Sequence, residues 1–137
     1  MCLHRITTLN PTLHSGTGYV MRRIDKYGNL YSIYYHHLFP DGYNYGKWYE
    51  SKVDSEFLFS SDVTYPCGFH IFDTLNDAEM YQARCAQYED KAIIKVEWKE
   101  CIITGIESFA IPVRLVRWIN HIERIESCVD HPQTLIH

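Results

Sequence analysis

A chain of 137 residues with 46% hydrophobic and 22% charged side chains can bury one domain's core without metal or disulfide staples, and it is too apolar to stay disordered. A formal net charge of −4 argues against general affinity for nucleic acid, which needs a positive field. The chain has no apolar run of about 18 residues and no secretory pattern at its start, so neither a membrane span nor a signal is expected and the location expected is the cytoplasm.

Five cysteines (Cys2, Cys67, Cys85, Cys101 and Cys128) at irregular spacing suit reduced thiols better than a disulfide framework. Cys2 also has a chemical reading, because removal of Met1 would leave a thiol and an amine together on one residue. Eleven tyrosines are the compositional oddity, and tyrosine is favoured both in strands and at recognition surfaces.

In chain order, residues 1–17 carry Pro11, Gly16 and little periodicity, and are expected to be a loosely ordered lead-in. Tyr19–Ile24 and Leu30–Tyr35 read as the two arms of a hairpin turning at Lys26–Asn29. Pro40-Asp41-Gly42 breaks the chain, and Tyr43–Glu50 reads as a loop entering a short strand, aromatic enough to rim a pocket. Residues 51–64 are a polar surface excursion pinned by Phe57-Leu58-Phe59.

The anchor of the fold is Tyr65 to Tyr81. Phe69–Phe72 is a short strand, and Thr74 with Asp77 three residues later has the spacing of a capping box. The helix is expected over Leu75–Glu89, with Ala78, Tyr81, Cys85 and Tyr88 facing the core and Asp77, Glu79 and Gln82 facing water. Lys91–Trp98 and Cys101–Ile106 are two strands that could pair with each other. The alternation at 111–125 is read as a strand to about Ile119, although Val116, Ile119, Ile122 and Ile125 also fit a helix. Residues 126–137 are a polar, loosely ordered end. The fold class expected is α+β, a mainly antiparallel sheet with one principal helix in a single domain.

Two resemblances follow from these residues. Tyr45-Gly46-Lys47-Trp48-Tyr49-Glu50, Gly68-Phe69-His70, Thr74–Ala78, Tyr27–Ser32 and the opening Met1-Cys2-Leu3 resemble a group of small uncharacterised bacteriophage proteins. That resemblance implies a phage-encoded accessory protein working in counter-defence or host takeover in the host cell cytoplasm. Locally, Gly68–Asp73 through Ala78 to Tyr81 is similar to a segment of the ADP-ribosyltransferases. There His70 takes the position of the tyrosine that stacks on nicotinamide, Arg22 or Arg23 matches the first-strand residue that orients the dinucleotide, and Glu97 or Glu107 is the late carboxylate. The fold it implies is ADP-ribosyltransferase-like.

The candidate catalytic residues are therefore His70, Glu97 and Glu107. His70 is either an acid/base or stacking group, since its ordinary pKa allows both protonation states near neutrality, or a strand histidine bonded to backbone. Alternation puts His70 and Phe72 on one face and Phe69 and Ile71 on the other; the apolar pair is assigned to the core beneath the helix and His70 to a cleft.

Cys67-x-x-His70 and Cys128-x-x-His131 have zinc-like spacing. In a strand, however, residues three apart face opposite ways, so they converge only if Gly68 turns the chain, and neither metal nor cofactor is expected. His36 and His37 likewise face apart. Arg114, Arg117, His121 and Arg124 form one basic patch only on a helix. The ligand expected is a nucleotide-type small molecule, held among Arg22, Tyr31, Tyr34, Trp48, Tyr49, His70 and Tyr81, because aromatic faces stack on bases. Alternatives are a host defence protein as partner, an ADP-ribosyltransferase-like or hydrolytic enzyme, and a Tyr-rich interface between copies of the chain.

Overall fold

The computed structural model describes residues 3–8, 11, 14–32, 42–51, 55–57, 64–66, 68–84, 90–107 and 110–125. In chain order the elements are β1 (Arg5–Thr8), β2 (Ser15–Ile24), β3 (Leu30–Tyr31), β4 (Trp48–Glu50), β5 (Ser55–Phe57), β6 (Thr64–Pro66), β7 (Phe69–Ile71), α1 (Leu75–Arg84), β8 (Lys91–Ile106) and β9 (Pro112–Ile125). The class is α+β: the described residues form one helix and an antiparallel sheet of seven strands, and β5 and β6 pair separately. No helix among the described residues is long and apolar enough to cross a membrane.

The long hairpin of β8 and β9 is the spine. In β8, Ala92, Ile94, Val96 and Trp98 are buried on one face along the whole first half of the strand, whereas the other face is buried at Ile93 and exposed at Glu97 and Lys99. The two strands expected at 91–98 and 101–106 are one strand, and they pair with β9 rather than with each other. The break read at Lys99-Glu100 corresponds to a local irregularity. Glu100 has φ 58 and the register slips between Cys101 and Ile103, so the strand bends without ending. β9 likewise runs on to Ile125 instead of stopping near Ile119.

Two contacts bring the outer edges of this sheet together. β2 pairs with β8, and on its other edge Tyr19 exchanges two 2.8 Å backbone hydrogen bonds with Phe72, just after β7, which itself pairs with the far edge of β9. At the other end β3 pairs with β2, Leu30 bridges to Tyr43, and Tyr45 bridges to His121 of β9. The order β2, β8, β9 therefore returns to β2 by both routes, and the sheet closes into a barrel. Both seams need glycine: a Cβ on Gly18 would lie 2.8 Å from the Phe72 carbonyl oxygen, and one on Gly42 (φ +79) would lie 2.5 Å from that of Leu30.

Closure gives the sheet two cores. Inside are Val20, Leu30, Ile71, Ile94, Trp98 and Ile119 with their neighbours. Outside, α1 lays Ala78 and Tyr81 over Phe72, Met21, Ile93 and Leu115. Gln82, expected to face water, is buried at 1% exposure because it faces the sheet together with Ala78 and Tyr81. Residues 85–89, the expected end of the helix, lie outside the described residues, as do 33–35 of the expected hairpin arm.

The helix starts where its cap requires. The Asp77 N–H donates to Thr74 Oγ1 at 3.1 Å, satisfying one of the unpaired donors of the first turn. Thr74→Ala should lower unfolding stability by about 1 kcal/mol, read as a fall in melting temperature of roughly 4 °C; an unchanged melting curve would show that the cap contributes nothing. The lead-in expected at 1–17 is more ordered than its composition suggests. Residues 5–8 form β1 on the edge of β8, and Ser15–Thr17 already belong to β2.

Candidate functional site

Alternation along β2 sends Val20 and Arg22 to the barrel interior, where Arg22 lies opposite Ala92 of β8. On β9 the register passes from Lys95↔Glu123 to Val96↔His121, so Ile122 is the extra residue of a bulge that leaves His121 facing inward beside Val96. The segment at 42–45 crosses this end of the barrel and brings in Tyr43, and β4 brings in Tyr49.

These four side chains form one buried polar cluster. The Arg22 Nε–H donates to His121 Nε2 at 3.2 Å and Nη1 donates to the Met21 carbonyl at 3.3 Å. The guanidinium lies over the Tyr43 ring, 4.5 Å from its centroid. Tyr43 stacks on His121 at 4.6 Å and 33°, and Tyr49 meets Tyr43 edge-on at 5.0 Å. The Tyr49 hydroxyl accepts the Asn44 N–H at 2.7 Å, fixing that ring.

Burial, followed by the charge of Arg22, pushes the His121 pKa down to about 2, so the ring is neutral. Because Nε2 accepts from Arg22, the ring proton sits on Nδ1, and that buried atom has no hydrogen-bond partner. Burial also lowers the pKa of Arg22 and raises that of Tyr43.

Arg22 is 8% exposed, and a guanidinium at that depth is normally paired with a carboxylate. Among the described residues, the ion pairs are Arg114 with Asp73 and Arg117 with Glu50 and Glu100, and none involves Arg22. The ring of Tyr43 supplies part of the compensation, about 2 kcal/mol for a desolvated cation over an aromatic face.

Of the residues expected to bind ligand, the structure brings Arg22 and Tyr49 together. Tyr31 and Trp48 are half-buried and each is held elsewhere: the Tyr31 hydroxyl donates to Asp25 Oδ2 at 3.3 Å, and Lys99 Nζ sits 4.0 Å over the Trp48 ring. Tyr34 lies outside the described residues. Tyr81 is across the sheet, packed on Phe72 at 5.2 Å beneath the helix.

His70 shares a face with Phe72, as alternation requires, but the two faces are assigned the other way round from expectation. Phe69 and Ile71 face the barrel interior, and the helix covers the side of Phe72. His70, opposite Leu115 in the register, therefore points into the outer core and not into a cleft. Burial takes its pKa down to about 3, and its Nε2 is enclosed without a partner.

The transferase-like arrangement is not assembled. Glu97 is exposed on the face opposite Arg22 and accepts from Asn120 Nδ2 at 3.3 Å. Arg23 is opposite Lys91, six positions from Glu97 and about 20 Å away along an extended strand. Glu107 is 2% exposed at the far end of β8.

Cys67, Cys128 and His131 of the zinc-like set, His36, His37 and Cys2 lie outside the described residues; Cys101 is a free, half-buried thiol. The basic residues of β9 are divided, as a strand divides them. Arg114 forms two 3.0 Å hydrogen bonds to Asp73, Arg117 pairs with Glu50, and His121 is buried.

Two members of the cluster were not singled out as ligand residues by sequence. In the sequence Tyr43 reads only as part of an aromatic rim, and His121 as part of a basic face. Continuing the β9 alternation past Ile119 would have put His121 in phase with a core isoleucine. No family model, curated protein or solved structure matches the chain.

Proposed function

We propose that the chain is a binding protein for a nucleotide-type small molecule, with the ligand's anionic part drawn to Arg22 at the end of the barrel crossed by residues 42–49. The observation that carries this reading is a guanidinium at 8% exposure with no carboxylate partner among the described residues. A site in that condition is stabilised by an arriving anion, because a charge-assisted hydrogen bond inside a poorly screened interior is stronger than one in water. Tyr45, 45% exposed and two residues from Tyr43, supplies an aromatic surface at this end of the barrel on which a base can stack.

The bacteriophage resemblance supports the biological setting: a phage-encoded accessory protein acting in the host cytoplasm, in counter-defence or host takeover, by withholding or sensing such a ligand. The enzymatic alternative is the weaker reading, since Arg22 and Glu97 face opposite sides of the sheet.

The test is a thermal-shift series with mono-, di- and triphosphates and cyclic monophosphates of the common bases, run beside capture from host lysate. A ligand at 100 times its Kd stabilises the folded state by about 2.7 kcal/mol, a rise of roughly 10 °C for a domain of this size. No shift with any nucleotide sinks the reading, and capture of a host protein in its place makes the chain a protein-binding factor.

A further inference from the structure

The end of the barrel crossed by residues 42–49 gathers more positive charge than Arg22 alone. The register of β8 and β9 pairs Ile94 with Arg124, Ile93 with Ile125 and Lys95 with Glu123. Ile94 belongs to the interior and Ile93 to the outer core, so Arg124 stands on the same face as Arg22 and His121, while Glu123 stands on the other. Arg124 enters two positions along β8 from the level of His121, about 7 Å away, and it is exposed where Arg22 is buried.

The crossing segment supplies a third cation. The Gly46 N–H donates to the His121 carbonyl at 2.9 Å, which holds the flanking Tyr45 and Lys47 beside that strand. Lys47 is exposed, and its Nζ lies 5.3 Å from the centroid of the Tyr49 ring, which itself meets Tyr43 edge-on. Each of the three tyrosines of this segment thus has one cation close to it. Arg22 lies over Tyr43 and Lys47 over Tyr49, and Arg124 is near enough to Tyr45 for its charge to oppose the rise that burial gives that hydroxyl's pKa.

No carboxylate among the described residues answers these cations. Glu50 is engaged by Arg117, Glu97 and Glu123 lie on the other face, and Asp25 accepts from the N–H groups of its own turn. Neither Arg124 nor Lys47 forms a hydrogen bond or an ion pair with any described residue.

Three cations without counter-charge, one buried and two at the rim, suit an extended anion whose successive phosphates meet separate partners. A single phosphate brings a charge of about −2 at one point and leaves part of that field unanswered. We infer, resting on the nucleotide reading above, that the ligand is a nucleoside di- or triphosphate whose phosphate chain lies across this rim, held by Arg124 and Lys47 with Arg22 as the deeper cation.

The experiment is calorimetry on the full chain in EDTA, so that no divalent cation masks the phosphates. The probes are the 5′-mono-, di- and triphosphates of the four common ribonucleosides and inorganic tripolyphosphate, at 50 and 500 mM NaCl. At low salt the triphosphate of the preferred base is expected to bind roughly 25-fold tighter than its monophosphate, about fivefold for each exposed cation engaged. Most of that advantage should vanish at high salt, where exposed charges are screened. Arg124→Gln and Lys47→Gln change exposed side chains, and each should weaken the triphosphate about fivefold while moving the monophosphate less than about twofold, a split that a merely damaged fold would not give.

A monophosphate that binds as tightly as the triphosphate at low salt overturns this inference and leaves nucleotide binding standing. So does a triphosphate affinity unchanged in both variants. Tripolyphosphate binding that Arg124→Gln weakens, with no nucleotide bound more tightly, keeps the rim as a polyphosphate site and overturns the nucleotide reading. No binding by any of these compounds removes both.

Discussion

Lowering the pH from 7 to 5 is expected to remove roughly 3–4 kcal/mol of unfolding stability, through two histidines that fold in their neutral form. His121 is held at a pKa of about 2 and His70 at about 3, both chiefly by burial, against an ordinary value of 6.5. The sign follows from proton counting. Below pH 6.5 the unfolded chain takes up a proton on each ring while the folded chain does not, so acid favours the unfolded state; above pH 6.5 neither state binds the proton and the full stability is present. Between about pH 5.5 and pH 4 the two groups together give a limiting slope of about 2.7 kcal/mol per pH unit. Urea unfolding at intervals from pH 7.5 to 5 measures this above the range where most carboxylates titrate. His121→Phe and His70→Phe should each remove about half of the pH-dependent loss. A stability flat across pH 5–7 would mean that these rings reach water in the folded protein, contrary to the enclosure of His121 Nδ1 and His70 Nε2.

The place of His70 in that prediction reverses its expected role. The two-residue alternation of a short strand is a local property, so pairing His70 with Phe72 against Phe69 and Ile71 was legible. Which face would carry the helix was not. A strand in a flat sheet has one core and one open side, and an apolar pair such as Phe69 and Ile71 would then mark the helix side. In a closed barrel the interior claims that pair, and the helix covers the other side through Phe72 and Tyr81.

Local features were legible throughout for the same reason. The cap at Thr74 and the strand at Trp48–Glu50 depend on residues within a few positions of one another. So does the turn after β2, held by Asp25 accepting from the Tyr27 and Asn29 N–H groups. Closure was not legible, because its seams join Tyr19 to Phe72 and Tyr45 to His121, and no short-range pattern encodes those pairings. The site shares that limit. Arg22 and Tyr49 stood out by residue type, but the bond that makes the cluster joins Arg22 to a residue 99 positions away. Whether His121 faced inward depended on the bulge at Ile122 and on β9 running past Ile119.

The double variant Arg22→Met/His121→Phe is expected to be more stable than the parent chain by about 2 kcal/mol while losing nucleotide binding at least 100-fold. Both side chains are buried, and the pair leaves an unbalanced guanidinium and an unpartnered Nδ1–H in the interior. An unsatisfied buried donor alone costs about 1–3 kcal/mol. Methionine is close in length to the buried stem of arginine, and phenylalanine keeps the ring packed on Tyr43, so the apolar pair fills the space without either polar penalty. Arg22→Met alone should be less stable than the double variant, because it takes away the donor at 3.2 Å and leaves His121 Nε2 as a buried acceptor with no partner. Chemical denaturation of the three proteins and binding measured on each separate two explanations of the cluster. If it is there to hold the fold together, the double variant loses stability, and the proposal of a ligand site goes with it. If it is a site kept at the expense of the free protein's stability, the variant that cannot bind is the one that resists unfolding best.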